Sequence, residues 1–210
     1  MANDHKFWDR MAKRYARTPI SDEAAYQEKL RKTRAVLTAD FKVLEFGCGT
    51  GSTAITLAPD VQDYLATDIS GEMLAIARGK AEGVDNLRFE QARLEDLTPP
   101  EGGFDAVLAH SILHLLPDKE AAIAQAFALL KPGGVFISST TCMAKGGFLK
   151  PLLWAGNKLG LLSMVRLFSA GALADAVKAA GFTIEERWQP TPKTAMFLIA
   201  RKPVMANTEN

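Results

Sequence analysis

Val43-Leu44-Glu45-Phe46-Gly47-Cys48-Gly49-Thr50-Gly51 is the stretch on which the reading of this chain turns. Val43, Leu44 and Phe46 predict a buried parallel strand. Gly47, Gly49 and Gly51 allow a tight turn with close backbone approach to a ligand. Residues 52–58 predict a helix, so the turn would deliver that ligand to a helix N-terminus. Strand, glycine turn and helix together describe a nucleotide or nucleoside site at the edge of a doubly wound sheet. The spacing then separates two ligand classes. A dinucleotide loop of the form G-x-G-x-x-G would put Ser52 at its third glycine. Here the glycines alternate, and Glu45 stands two residues before the first of them. A carboxylate facing the ligand repels a pyrophosphate and attracts an ammonium, which favours a nucleoside carrying an amino acid.

With these residues the segment resembles motif I of the class I S-adenosylmethionine-dependent methyltransferases, in its [D/E]-x-G-x-G-x-G form. The resemblance implies an α/β, Rossmann-like doubly wound fold: a seven-stranded, mostly parallel sheet with a C-terminal antiparallel hairpin and helices on both faces. It also implies S-adenosyl-L-methionine as cofactor. Tyr64-Leu65-Ala66-Thr67 predicts a second strand ending in Asp68, about 20 residues beyond the glycine turn, where such folds place an acid on the ribose hydroxyls. An acid just before a helix also suits a cap. The family's second motif, D-x-S, is matched by Asp68-Ile69-Ser70, with Glu72-Met73-Leu74 opening the next helix.

Later segments continue the resemblance more weakly. Residues 87–90 predict a third strand, followed by Q-A-R-L-E-D-L where relatives read Q-G-D-A-E-D-L. Arg93 therefore stands where an adenine-binding acid is expected, leaving the Leu94 backbone amide and the neighbouring Glu95 and Asp96 for that end of the ligand. Residues 104–109 predict a fourth strand leading into His110-Ser111-Ile112-Leu113-His114-Leu115. By the resemblance His110 lies beside the methionine end of the cofactor and His114 points to the acceptor, while Leu115 departs from a histidine common in relatives. A helix over 118–130 and the turn Lys131-Pro132-Gly133-Gly134 lead to a fifth strand over 135–139. A helix over 169–180, closed by Gly181, precedes strands at 182–184 and 195–200, which short connections pair as an antiparallel hairpin despite Pro190 and Pro192. The resemblance implies cofactor contacts at Tyr15, Glu45, Gly47, Cys48, Gly49, Gly51, Asp68, Ile69, Met73, Leu94, Glu95 and His110.

The 210 residues fit one domain, expected over 1–203 with a disordered tail at 204–210. A net charge of +1 with 23% charged residues excludes a composition built for nucleic acid. The first residues lack the apolar core of a signal peptide, and two cysteines do not make a disulfide framework. A cytoplasmic protein is the expectation.

Two segments are expected to cover the cofactor half. The first, within 1–38, reads as two helices broken at Thr18-Pro19, with Trp8 and Tyr15 either packing onto the sheet or, for Tyr15, approaching the cofactor's amino-acid end. The second, 145–168, is apolar with only basic charges, and no Asp or Glu occurs between Glu120 and Asp175. It reads as a lid over a greasy or anionic acceptor, as a peripheral membrane contact, or as an extra helical layer. It is too interrupted to span a membrane.

Methyl transfer from a sulfonium is an in-line displacement that needs alignment above all. A base is required only where the acceptor must lose a proton. His114 is the first candidate for it and His110 the second, against a core or capping role for His114. Their spacing would suit a metal-ligand pair on a helix, but no third ligand is evident, so no metal is expected. No N-P-P-Y or D-P-P-Y run, Pro-Cys pair or paired-glutamate loop occurs, which leaves a small-molecule acceptor, apolar in character. The competing readings are a non-catalytic relative that binds the same cofactor and a nucleotide-binding oxidoreductase.

Overall fold

The computed structural model describes residues 4–142, 165–191 and 194–204. Seven strands form one sheet in the order β3-β2-β1-β4-β5-β7-β6. They are β1 (Lys42–Phe46), β2 (Asp63–Asp68), β3 (Leu87–Gln91), β4 (Phe104–His110), β5 (Leu130–Thr141), β6 (Thr183–Trp188) and β7 (Ala195–Arg201). The first five run parallel. β7 lies antiparallel between β5 and β6. The chain steps outward from β1 to β2 and β3, then returns to place β4 on the other side of β1. This reversal opens a crevice above the carboxyl ends of β1 and β4, where doubly wound sheets bind ligands.

Among the described residues six helices accompany the sheet: α1 (Asp4–Arg17), α2 (Glu23–Arg34), α3 (Ser52–Leu57), α4 (Gly71–Lys80), α5 (Lys119–Leu129) and α6 (Ala170–Ala179). Strand residues alternate between faces, so two cores form. Leu44, Phe46, Val107, Ala109 and Phe136 pack under α5 and α6. Val43, Ala106, Leu108, Ile137, Phe197 and Ile199 pack under α2 and α3. Side-chain caps start the helices where turn residues precede them. Asp22 accepts from Ala25 N, Ser70 from Met73 N, Asp118 from Ala121 N and Ser169 from Ala172 N.

The expected fold is the fold observed, with local differences. Pro132-Gly133-Gly134 does not separate a turn from β5. The strand runs continuously from Leu130, pairing Leu130 with Phe104 before the register shifts at Ala106. Gly133 holds a φ of +80° and donates its N–H to Lys202 O, while Lys202 N–H donates to Gly134 O, so the turn-like sequence is absorbed as an irregularity inside the sheet. β6 extends to Trp188, beyond the three residues expected of it. The break at Thr18-Pro19 does divide α1 from α2. Of the 145–168 insertion, residues 145–164 lie outside the described residues, as do 205–210 of the tail. The described end of the insertion has no regular secondary structure, and Arg166 N donates to His114 O at 2.7 Å. No described helix is long and apolar enough to cross a membrane.

Candidate active site

The glycine turn is held from below. Cys48 N donates to Thr67 O at 2.9 Å and Gly51 N to Cys48 O at 3.0 Å. Gly47, Gly49 and Gly51 all take positive φ, a region that Cβ-bearing residues enter only at a cost. Space matters as well at two of them. A Cβ on Gly47 would come within 2.5 Å of Ile112 Cγ1, and one on Gly51 within 2.9 Å of Ala77 Cβ. Gly51 therefore serves the packing of α4 behind the loop, and it is the one expected cofactor residue that does not line the cavity.

That cavity, of about 1110 Å³, sits over the carboxyl ends of the strands. Ligand pockets commonly run to about 300–1,000 Å³, so there is room for more than one small molecule. On its β1–β2 side stand Glu45, Asp68, Ile69 and Met73, with Leu94 and Glu95 beyond them. Asp68 is almost fully buried at the end of β2 and accepts from Gly49 N at 2.8 Å and Ser70 N at 2.9 Å. It does not cap α4; Ser70 does. Burial raises the Asp68 carboxyl, against the three backbone amides of Ser70, Gly49 and Ile69.

Glu45 is buried beside it and accepts from the Tyr64 hydroxyl at 2.8 Å. Burial pushes its carboxyl up to about 8, with Tyr64 pulling it down and Asp68 adding to the rise. In the free protein Glu45 is therefore mostly protonated at neutral pH, and an incoming cation would ionise it. Tyr15 of α1 lies over the turn, 3.8 Å from where a Gly49 Cβ would stand. Burial, then Asp68 and Glu45, raise its phenol. Cys48 lines the same wall, its thiol pushed up chiefly by burial.

α1 is fastened across this end. Asp9 accepts from the Ser70 hydroxyl at 2.6 Å and from Glu72 N at 3.3 Å. One carboxylate thus joins the covering helix to the N-terminus of α4, where negative charge is favoured.

The β4–β5 side carries the two histidines. His110 ends β4, and Ser111 follows in the left-handed region at φ 55°, its N–H donating to Ser139 O at 2.6 Å. Burial, helped by the Lys29 ammonium, lowers His110 to about 4. His114 sits in a 3-10 turn (Leu113–Leu115), with Nδ1 at 3.0 Å from Thr140 Oγ1. Burial lowers its pKa too. The four-residue spacing of this pair thus falls on a strand end and a separate turn, not on one helix face. Among the described residues no three His, Cys, Asp or Glu side chains group to hold a metal.

Sequence reasoning missed several cavity residues: Lys29 on α2, Ser139 and Thr141 on β5, and Trp188 at the end of β6. No motif marks them. They meet only because β7 inserts between β5 and β6 and α2 crosses above.

A doubly wound seven-stranded sheet with an antiparallel last strand, an acid-led glycine turn after β1 and a second acid ending β2 defines the class I S-adenosylmethionine-dependent methyltransferases. Residues 43–134, somewhat less than half of the chain, match the family model of the methyltransferase domain. Among curated proteins, the chain is 34% identical over 101 residues to an uncharacterized methyltransferase of Bacillus subtilis, YcgJ, covering 47% of this chain and 40% of that one. It is 29% identical over 161 residues to the ubiquinone biosynthesis O-methyltransferase of Acinetobacter baumannii, covering 73% of this chain and 68% of that one. The chain thus spans less than half the length of the first of these relatives. Among solved structures, DhpI in complex with SAH superposes with a TM-score of 0.75 at 23% identity, over 98% of this chain and 97% of that one.

The residues present fit the cofactor of this family. Glu45, a buried carboxyl that an incoming cation would ionise, suits an ammonium. Asp68 keeps carboxylate lone pairs free beyond its backbone bonds, which suits hydroxyls. The glycine turn lets the main chain approach without side chains between.

Proposed function

We propose that this chain transfers a methyl group from S-adenosylmethionine to a small, largely apolar acceptor. The observation that carries the reading is a single cavity joining the acid-lined glycine turn at one end to two histidines at the other. Glu45 and Tyr15 hold the amino-acid end of the cofactor, Asp68 and Ile69 the ribose, Met73 the adenosine wall, and Leu94 with Glu95 the adenine. The bound cofactor supplies the methyl group on a sulfonium, already activated for displacement.

The chain's remaining task is to align the acceptor and exclude water, a proximity effect. His110 flanks the reacting centre as a neutral ring. His114 serves as general base where the acceptor loses a proton: Nδ1–H donating to Thr140 leaves the Nε2 lone pair for that proton. The lowered pKa keeps His114 in this base form at neutral pH. Arg166, in the described end of the 145–168 insertion, donates its backbone N–H to His114 O and so ties that end to the turn carrying the proposed base.

The test is incubation of methyl-labelled S-adenosylmethionine with the protein and a cell extract, followed by partition into organic, aqueous and polymer fractions. Protein-dependent label in the organic phase is expected. Label confined to the aqueous phase would keep methyl transfer and remove the apolar acceptor. Absence of label, with cofactor binding shown by calorimetry, would favour a binding protein over an enzyme. His114→Ala should lower turnover while leaving cofactor affinity intact; a parallel loss of folding stability would assign His114 to packing.

A further inference from the structure

His110 Nε2 and Ser139 Oγ are buried with no hydrogen-bond partner among the described residues. Both belong to the cavity wall. They are Cα partners across the β4–β5 ladder, so their side chains stand on the same face of the sheet. That face is the one under α2: Leu30 of α2 packs with Leu108, Ile137 and Phe197. Buried polar groups left unpaired are costly, and native proteins satisfy nearly all of them. Two adjacent orphans on one cavity wall therefore point to a polar group of a ligand.

Lys29 reaches the same cavity from above. Lys32, three residues on, pairs with Glu186 and lies over the Trp188 ring, 5.8 Å from its centroid. This places α2 over the β6–β7 side, and Lys29 shares that helical face. Its half-buried ammonium has no side-chain hydrogen bond or ion pair among the described residues; burial lowers its pKa, with Asp22 opposing. Lys29 acts on His110. The ammonium and the serine hydroxyl are donors, the imidazole can donate in its Nε2–H tautomer, and Trp188, Pro190 and Ala195 supply apolar surroundings.

We propose that the methyl acceptor is an otherwise apolar molecule bearing a carboxylate, seated by Lys29 with Ser139 and His110 completing its hydrogen bonds. The proposal rests on the methyltransferase reading and names its substrate class. A single ammonium matches a carboxylate's single charge, whereas a phosphate dianion would leave charge uncompensated on this wall. Lys29 is then the residue that selects acid over neutral analogue, because a neutral occupant leaves a half-buried cation unmatched.

The experiment uses protein saturated with S-adenosylhomocysteine. Matched probes are offered: hydroxybenzoates against hydroxybenzamides, and medium-chain fatty acids against their amides, with affinities read by ligand-observed NMR. At least one acid should bind about tenfold or more tightly than its amide. Lys29→Met should abolish that preference with S-adenosylhomocysteine affinity unchanged, and Lys29→Arg should retain it. If no acid outbinds its amide, or the preference survives in Lys29→Met, the proposal is overturned. It is equally overturned if Lys29→Met weakens S-adenosylhomocysteine instead, which would put Lys29 on the cofactor's own carboxylate. A wild-type chain that fails to bind S-adenosylhomocysteine would remove the methyltransferase reading itself, a result visible before any acid is added.

Discussion

In the proposed function Glu45 concentrates the chemistry of the cofactor end in one side chain. Its folded-state carboxyl lies near 8, well above the ordinary value of about 4.3 for an unfolded chain. The folded protein therefore binds more protons than the unfolded one between these values, and stability falls as pH rises through that window. Glu45→Gln should flatten this part of the pH–stability profile, as followed by denaturant melts from acid to mildly alkaline pH. The same proton should leave when an ammonium arrives. Calorimetry at pH 7 in buffers of different ionisation enthalpy should show up to about one proton released per cofactor bound, and close to none in Glu45→Gln. Proton release unchanged by the substitution would detach Glu45 from the ammonium.

Gly47 gives a steric counterpart. Its φ of +67° and the 2.5 Å approach of Ile112 leave no room for a methyl group. Gly47→Ala should cost at least about 1–3 kcal/mol and lower the melting temperature measurably. An unchanged melting curve would contradict the packing described.

At the scale of elements, α1 matters through one contact more than through its length. Asp9 bridges to Ser70 and to the first turn of α4. Asp9→Ala removes a favourable charge at a helix N-terminus and the tie holding the cover. A stability loss of about 0.5–2 kcal/mol is expected. Faster proteolytic cleavage near residues 18–22 should accompany it and be suppressed by bound cofactor. Cleavage at the wild-type rate would show that Trp8 and Tyr15 alone hold α1 down.

Legibility divides along the same elements. β1, the glycine turn, β2 and Asp68 were readable because each signal is local: an apolar run, a glycine spacing, an acid at a strand end. Lys29 and Ser139 carry no local signal. A lysine on an amphipathic helix and a serine in a strand are ordinary residues until β4–β5 register and the crossing of α2 bring them to one wall. The extended start of β5 was hidden for the opposite reason. Lys131-Pro132-Gly133-Gly134 is strong turn chemistry, and pairing to Lys202 and Phe104 overrode it.

For the whole molecule, the proposed function assigns the β1–β2 side of the cavity to the cofactor and the β4–β5 side to the acceptor. Filling the first should stabilise the fold by mass action. At S-adenosylhomocysteine concentrations about 100-fold above Kd the gain is about 2.7 kcal/mol. For a chain of this size that corresponds to a rise of about 5–11 °C in melting temperature, measurable by scanning fluorimetry. A nicotinamide cofactor should give no shift, and a shift with it alone would revive an oxidoreductase reading.

The place of β7 also has a consequence for how the protein is made. The last strand among the described residues, Ala195–Arg201, is an interior strand of the sheet, flanked by β5 and β6. While a ribosome extends the chain, β1 to β4 can assemble from contiguous residues, but β5 keeps one edge bare until residue 201 has emerged. β6 has no neighbour at all before then. Nascent chains stalled between residues 141 and 195 would expose β5 as an open template for strand addition, and their fate would depend on chaperones in a way the completed protein's does not.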